Sequence, residues 1–339
     1  LKLEQSLEEY VKGSMLVEML GGGDLPVGPG FGDVVFDMSV GYDLEGIRSE
    51  RVDAFIRGMM DARATVDRMR TQIPVEFKRY RDMDFRTGLS DSVTLSTFHG
   101  CPPEEIERII QHLMRTYGLH CVVKFNPTLL GPEDVRRLLN DRLGYADIAV
   151  PDDAFEKDAK WEQAVGIMDR LGKTAEEMGL SLGAKFSNTL IVENRRGFLP
   201  AGEQEVYLSG APLHVLAVNL VDRFRGHFGD RFPISFAAGI DRGNFADAVA
   251  LGLVPITVCS DLLKPQGYGR LTTYTKDLAR RMDAVGATTA DDFVIRAYGR
   301  GEAALERCGP GADDPVGERC LTALLEGGDL AAAAGEELH

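Results

Sequence analysis

The fold class is set by residues 92–125, which read SVTLSTFHGCPPEEIERIIQHLMRTYGLHCVVKF. Residues 92–96 and 121–125 are short β-branched runs of the kind that form buried strands. Between them, apolar residues recur at helical spacing over residues 104–117, and Pro103 suits the first turn of a helix. A strand, a helix and a second strand in this order predict a parallel βα unit.

The same alternation extends to both sides of this stretch. Further strands are predicted at residues 33–40, 146–150, 182–186, 233–236 and 255–259. Helices are predicted at 1–20, 49–72, 132–140, 161–178, 212–228, 244–251 and 271–285, whereas 73–91 and 192–207 are predicted as loops. Strands that alternate with helices in this way indicate an α/β fold built from parallel βα units.

Three segments are expected along the chain. Residues 1–32 form an N-terminal helix and loop, residues 33–289 carry the βα units, and residues 290–339 form a helical extension or linker rich in Gly and Ala. Because the sequence begins at Leu1 and not at Met, we expect it to be a piece of a longer protein.

The composition limits the classes of protein that remain. Among 339 residues, 38 Lys and Arg stand against 53 Asp and Glu, and the net charge of −15 disfavours nucleic acid and anionic membranes as partners. No apolar run reaches the roughly 20 residues of a membrane span. The five cysteines contain no C-x-x-C pair, which predicts reduced thiols, a cytoplasmic location and no zinc site.

Lysine inside an apolar strand is an unusual feature, and it occurs twice. Lys124 lies in CVVKF and Lys185 in LGAKF, where burial of an unpaired ammonium group is costly. Each therefore needs a partner, which is a phosphate, a substrate carboxylate, a reduced flavin ring or a structural carboxylate. The strings VKFNPT at 123–128 and AKFSNT at 184–189 are also alike, and chance explains this likeness equally well.

The turn after residues 92–96 carries three side chains that can donate a proton. Thr97, His99 and Cys101 lie between a predicted strand and a predicted helix, where βα barrels place their active-site residues. The alternative for His99 is a hydrogen-bonded loop histidine without a catalytic role. Cys121 and Cys259 fall within predicted strands and are most simply small buried hydrophobic residues.

Small residues follow two later strands. The string AAGID at 237–241 ends one predicted strand, and Ser260 follows the next. Small side chains let backbone N–H groups approach a phosphate, as after the last strands of TIM barrels. A β-carbon at Gly239 would then block the phosphate and leave the fold intact. The alternative is a tight turn with a positive φ at Gly239, where a larger residue destabilises the domain.

Five strings resemble the flavin-dependent barrels of the dihydroorotate dehydrogenases and dihydropyrimidine dehydrogenase. The likeness is strongest to the barrel of the selenate reductase flavoprotein subunit family, which is related to the glutamate synthase small subunit. The strings keep the order of that family and read DMSVGYDLEGI (37–47), TLSTFHGCPPEEIE (94–107), VKFNPTLLG (123–131), AKFSNT (184–189) and PITVCSDLLKPQGYGRL (255–271).

This resemblance implies a TIM-type (β/α)8 barrel like that of dihydroorotate dehydrogenase, here lacking its first strands. The implied cofactor is FMN, with its ligands among Thr94, Lys124, Lys185, Asn188, Gly239, Ile240, Cys259 and Ser260. The catalytic candidates are Thr97, His99, Cys101 and Lys124, and the substrate-binding candidates are Asp43, Asn126, Asn188 and Thr189. Asp43 and Ala238 depart from the pattern, since the pyrimidine enzyme has Asn and Gly there. Thr97 takes the place of the catalytic acid, and because Thr is a poor acid, His99 or Cys101 can substitute for it.

Three functions remain open from the sequence. The first is an FMN-dependent oxidoreductase module that passes electrons or hydride to a small polar substrate. FAD, NADPH and iron–sulfur groups would then lie in other domains or subunits of a reductase complex, because the chain lacks G-x-G-x-x-G and cluster spacings. The second is a flavin-free structural barrel of such a complex, and the third is a Schiff-base lyase that uses Lys124 or Lys185. A homo-oligomer is compatible with all three.

Overall fold

The computed structural model describes residues 2–303, apart from positions 24–26, 29, 97–98, 196–198 and 201, together with positions 319 and 322. The chain divides into two compact units, and the division falls inside a strand. The first unit comprises Leu1–Gly131 and Asp152–Gly183, and the second comprises Pro132–Pro151 and Ala184–His339.

The regular elements follow one another largely as the βα pattern predicts. The strands are β1 Met38–Val40, β2 Ser92–Ser96, β3 His120–Phe125, β4 Leu182–Phe186, β5 Leu190–Glu193, β6 Glu205–Leu208 and β7 Ile234–Phe236. The helices are α1 Leu3–Gly21, α2 Leu44–Ile47, α3 Glu50–Met60, α4 Arg63–Gln72, α5 Pro103–Tyr117, α6 Pro132–Arg136, α7 Asp152–Lys157, α8 Trp161–Met178, α9 Pro212–Phe228, α10 Phe245–Ala250, α11 Leu271–Ala284 and α12 Ala290–Arg296. Turns of 3₁₀-helix occupy Val75–Asp82, Pro127–Leu130, Ser260–Leu263 and Gly267–Arg270, and a π-helix occupies Arg137–Arg142.

The first unit contains a parallel sheet in the order β1-β2-β3, followed by the start of β4. Cys121 donates its backbone N–H to the carbonyl of Ser181, immediately before β4, at 3.0 Å. The register places Ser96 beside Lys124. Because strands in parallel register point paired side chains to the same face, these two side chains are neighbours at the carboxyl ends of β2 and β3.

The two faces of β3 have different environments. Cys121, Val123 and Phe125 are at most 2% exposed, whereas Val122 and Lys124 between them are half-buried. Helix α5 packs on β3 and buries its own apolar stripe, which consists of Ile106, Ile109, Ile110, Leu113 and Met114. Each such aliphatic side chain contributes roughly 1.5–3 kcal/mol when it is buried. This packing fixes Lys124 on the other face.

The predicted helix at 49–72 is wrong in one respect, because it is two helices. Asp61 leaves the helical conformation after α3, with φ −140° and ψ 94°. The backbone N–H of Ala62 donates to the carbonyl of Thr87 at 2.7 Å, and Leu89 and Ser90 donate to the carbonyl of Met59. These long-range hydrogen bonds from the segment 73–91 interrupt a helical pattern that is continuous in the sequence.

The second unit contains β4 from Ala184 onward, paired in parallel with β7. The predicted strand at 255–259 is reduced to one bridge between Ile256 and Phe236. The predicted loop at 192–207 is partly wrong, because β5 and β6 form an antiparallel hairpin there. The core of this unit includes Phe186 and Phe224, whose rings meet edge to face with centroids 5.3 Å apart.

The predicted strand at 146–150 is wrong, although all five residues are described. Asn140 donates its side-chain amide to the carbonyls of Tyr145 and Ile148 at 2.8 and 2.7 Å, and Arg136 donates to the carbonyl of Val150 at 3.2 Å. Side chains thus occupy carbonyls that a strand would offer to its neighbour.

The expected C-terminal extension is described only in part. Helix α12 lies in it, and beyond residue 303 only positions 319 and 322 are among the described residues. The division at residues 32 and 289 therefore stays a prediction. None of the helices within the described ranges has the length and apolar character that crossing a membrane requires.

Candidate functional site

The carboxyl ends of β2 and β3 present a polar pair, Ser96 and Lys124. Both side chains are half-buried and lie on the face opposite the apolar face of β3. Thr94 lies on the same face as Ser96 but is only 5% exposed, and its hydroxyl donates to Oδ2 of Asp37 at 2.7 Å. Thr94 therefore has a structural partner, and Lys124 lies half-buried beside Ser96 at this sheet edge.

Two of the three proton donors predicted in the turn after β2, His99 and Cys101, are among the described residues. Thr97 lies outside the described residues. Cys101 is 3% exposed, and burial, together with the charges of Glu105 and Asp158, raises the pKa of its thiol to about 12. A thiol with such a pKa stays protonated and is a weak acid, so His99 is the stronger candidate of the two.

Asp158, which sequence reasoning missed, is the acceptor that holds this turn. Its carboxylate is 3% exposed. Oδ1 accepts the backbone N–H of Gly100 at 2.8 Å, and Oδ2 accepts the hydroxyl of Thr128 at 2.7 Å and lies 3.4 Å from Nδ1 of His99. Burial acts to raise the pKa of Asp158, but the hydrogen bonds from His99, Gly100 and Thr128 outweigh it, and the pKa lies below its ordinary value. No local pattern marks Asp158, because its partners are at least 30 residues away.

Asn126 follows β3 and faces a small cavity. Cys101, Asn126 and Asp158 line it together with Ile106, Phe125, Leu129 and Ala159, and its volume is about 10 Å³. Among the described residues no group hydrogen-bonds to the buried Oδ1 of Asn126. A cavity of this size holds about one water molecule. This cavity is too small for a substrate, and a substrate contact at Asn126 stays a prediction.

Asp43 has a structural task in the first unit. It precedes α2, and its Oδ1 accepts the backbone N–H of Gly46 at 2.8 Å, which caps the helix. The backbone N–H of Leu44, the first residue of α2, donates to Oε1 of Glu105 in α5 at 2.8 Å. Asp43 departs from the pattern of the resembling family, and in this chain its carboxylate serves as the N-cap of α2.

The second unit carries the other predicted lysine at the end of β4. Lys185 is half-buried and lies in register with Ser235 of β7. Asn188 and Thr189 follow the strand, and the side-chain oxygen of Asn188 accepts the backbone N–H of Thr189 at 3.0 Å. In each of the two similar strings, a half-buried lysine near the end of a strand thus lies beside a serine of the adjacent strand.

Gly239 is part of a tight backbone junction. It has φ +55°, and a β-carbon there would lie 2.7 Å from both the carbonyl oxygen of Gly210 and Cα of Ala211. Gly210 has φ +79°, and its β-carbon would lie 3.4 Å from Oγ of Ser260. Gly239 thus lies directly against the backbone of Gly210 and Ala211, and Gly210 in turn lies against the side chain of Ser260. The expectation that a side chain at 239 would leave the fold intact is wrong, because it would meet backbone.

The neighbours of Gly239 are held by side chains of the second unit. The carbonyl of Ala238 accepts Nδ1–H of His214 at 2.9 Å, and the carbonyl of Gly239 accepts the side-chain amide of Asn244 at 3.0 Å. Ile240 is 3% exposed. Cys259 is exposed, contrary to the prediction of a buried strand residue, since the strand ends near Ile256.

Asp261 anchors the loop that follows Ser260. Its carboxylate is 3% exposed, accepts two hydrogen bonds from Arg270 at 2.8 and 3.0 Å, and pairs with Lys264 at 2.8 Å. Tyr274 of α11 donates its hydroxyl to the same carboxylate. The hydrogen bonds from Arg270 are the main reason that the pKa of Asp261 lies far below its ordinary value. Asp261 is thus a structural anion and not a catalytic acid.

Substitution of Tyr274 by Phe should destabilise the protein by about 1.5–3 kcal/mol, the usual contribution of a hydrogen bond to a charged group. Arg270 and Lys264 remain on Asp261, so the loss stays within that range. Urea denaturation followed by circular dichroism measures it. Tyr268→Phe is the matched control, because Tyr268 is 80% exposed. Equal denaturation midpoints for the two variants would contradict the assigned hydrogen bond.

Within the described ranges, no group of three or more His, Cys, Asp or Glu side chains is placed to hold a metal ion. A parallel βα sheet with polar residues collected after its strands is the architecture of TIM-barrel enzymes. The chain belongs to the family described as "Oxidoreductase YgfK, N-terminal TIM-barrel domain", whose model matches residues 1–299. This membership confirms the predicted α/β barrel class.

Both curated relatives and solved structures are similar to the chain. It is 35% identical over 295 residues to "Putative oxidoreductase YgfK" from Escherichia coli strain K12 and, to the same extent, to its counterpart from E. coli O157:H7. The alignment covers 81% of this chain but 28% of each relative, so the chain spans less than a third of their length. A ligand-free dihydroorotate dehydrogenase from Eimeria tenella matches with a TM-score of 0.38 and 12% identity over 70% of each chain.

Proposed function

We propose that the chain is an FMN-dependent oxidoreductase module that passes electrons or hydride to a small polar substrate. The observation that carries the proposal is the placement of Lys124, half-buried beside Ser96 at the carboxyl ends of two parallel strands. Membership of an oxidoreductase barrel family supports it. The much greater length of the relatives supports a parent reductase whose FAD and iron–sulfur domains lie outside these residues.

The residues of the first unit fit the edge of a flavin ring. FMN, when bound, supplies the two-electron chemistry, and the ammonium of Lys124 would hold the negative charge that the ring gains on reduction. His99, held by Asp158, would supply a proton to the substrate. The phosphate contact at Ser260 stays a prediction from the sequence. Gly239 has a separate reason to be glycine, since its β-carbon would meet backbone whether or not a phosphate is bound.

The first test is a titration of the protein with FMN, followed by its visible spectrum and its fluorescence. Saturable binding with a shifted flavin spectrum is the expected result. A folded protein that leaves added FMN unbound would contradict the proposal and favour a structural barrel. Trapping of a carbonyl substrate on Lys124 or Lys185 by borohydride would instead favour the lyase.

Replacement of Lys124 by Ala should lower the midpoint potential of the bound flavin. Loss of a charge-assisted contact to the reduced form amounts to roughly 1.5–3 kcal/mol, which is about 30–65 mV for a two-electron couple. Lys124→Arg is the control that keeps the charge and should retain most of the potential. A flavin-loaded Lys124→Ala protein with the wild-type potential would remove Lys124 from the ring.

The substrate class is open to direct assay once the flavin is bound. Pyrimidines, selenium oxyanions and amino-acid-derived compounds each satisfy the description of a small polar substrate. Reoxidation of the reduced flavin by one of them, measured under anaerobic conditions, would assign it. Association with other reductase subunits, a cytoplasmic location and a homo-oligomer stay predictions.

A further inference from the structure

Asp158 accepts hydrogen bonds from three groups in two segments of the first unit. Gly100 follows β2, Thr128 follows β3, and the ring of His99 lies in the same turn as Gly100. The side chains of His99 and Asp158 are 10% and 3% exposed. The carboxylate therefore sits at the centre of the loops that bear the candidate proton donor.

The chemistry of the carboxylate decides which nitrogen of His99 carries the proton. Hydrogen bonds from Gly100 and Thr128 favour the ionised form of Asp158, which only accepts hydrogen bonds. The group that faces Oδ2 from His99 is Nδ1, at 3.4 Å. Nδ1 must then bear hydrogen, because a bare ring nitrogen opposite an anionic oxygen would be repelled.

We propose that Asp158 is a positioning residue that fixes His99 in the tautomer with hydrogen on Nδ1, which leaves Nε2 as the basic nitrogen of the ring. The inference deepens the proposed function, in which His99 is the candidate proton donor. When the imidazolium of His99 gives up a proton, that proton leaves from Nε2, and the neutral ring keeps Nδ1–H directed at Asp158.

Nitrogen-15 NMR of the full 339-residue chain, labelled at histidine, tests the tautomer without flavin or substrate. The His99→Gln spectrum identifies the resonances of His99. At about pH 8.5, where an ordinary histidine is neutral, Nδ1 of His99 should resonate as a protonated nitrogen and Nε2 as an unprotonated one. In Asp158→Asn, whose amide can donate as well as accept, the two resonances should move toward each other as the preference is lost.

Thr128→Val is the matched control, because it removes another donor to Oδ2 and leaves the His99–Asp158 pair in place. It should keep the wild-type tautomer. Hydrogen on Nε2 in the wild type would overturn the proposal, even if Asp158→Asn fails to fold. An unchanged tautomer in a folded Asp158→Asn protein would also overturn it. A wild type with hydrogen on Nδ1 that binds no FMN would refute the proposed function and leave the role of Asp158 standing.

Discussion

Gly239→Val should lower the melting temperature of the protein strongly, with or without FMN. A β-branched residue at φ +55° carries a backbone strain of roughly 1–3 kcal/mol. Its β-carbon would also lie 2.7 Å from the backbone of Gly210 and Ala211, and overpacking of this kind costs about another 1–3 kcal/mol or more. The sum is a large part of the roughly 5–15 kcal/mol by which proteins are stable. Thermal melts followed by circular dichroism measure the effect.

Gly179→Val separates the two contributions. Gly179 ends α8 with φ +66°, but a β-carbon there would have no atom within 4 Å. Gly179→Val is destabilised only by the strain of the left-handed backbone conformation. Its melting temperature should therefore lie between those of wild type and Gly239→Val. If both valine variants melt together, the backbone contact at Gly239 is wrong. If a folded Gly239→Val protein binds FMN normally, a phosphate cradle at Gly239 is wrong as well.

Asp158→Ala should destabilise the protein by about 2–6 kcal/mol, because two buried donors lose their acceptor and each unmet donor costs about 1–3 kcal/mol. The substitution leaves the N–H of Gly100 and the hydroxyl of Thr128 facing an apolar methyl group, and each unmet buried donor is costly. Urea denaturation provides the measurement. Asp153→Ala is the control, because the ion pair of Asp153 with Lys157 is exposed and such pairs contribute at most about 1 kcal/mol. Similar midpoints for the two variants would contradict the assigned network.

The stabilisation by Asp158 should disappear in acid. Its pKa in the folded protein lies below the unfolded value of about 3.9, so the ionised form is favoured by folding. The stabilisation is therefore fully present above that value and is lost as the pH falls through the folded pKa. The difference in unfolding free energy between wild type and Asp158→Asn should narrow as the pH falls below about 4. A difference that stays constant down to pH 3 would contradict the lowered pKa.

Elements whose own side chains decide their packing are predictable from the sequence. The strand at 92–96 and the helices at 161–178 and 212–228 have the predicted bounds, because their apolar patterns lie within the segments themselves and a glycine follows each helix. The predictions fail where a distant group competes for the backbone. The carbonyl of Thr87 accepts the N–H of Ala62 in the break between α3 and α4, and Asn140 donates to the carbonyl of Ile148 in a predicted strand.

The same distinction holds for the residues of the candidate site, of which the sequence predicts some and not others. Lys124 can be predicted from the sequence alone, because a lysine within an apolar strand is unusual. Asp158 is not, since its function depends on His99, Gly100 and Thr128, which only the tertiary structure brings to it. The glycine requirement at position 239 is visible in the sequence, but its cause is the backbone of Gly210.

Successive residues of β3 face opposite sides of the sheet. An insertion or deletion within β3 should therefore disturb the site more than a substitution does. Deletion of Val122 would advance Lys124 by one position and turn its ammonium group toward α5, where Val123 is now fully buried. A conservative exchange such as Val122→Ile leaves that alternation intact. Variation among proteins with this site should therefore consist of substitutions within β3, with insertions and deletions confined to the connections beyond its ends.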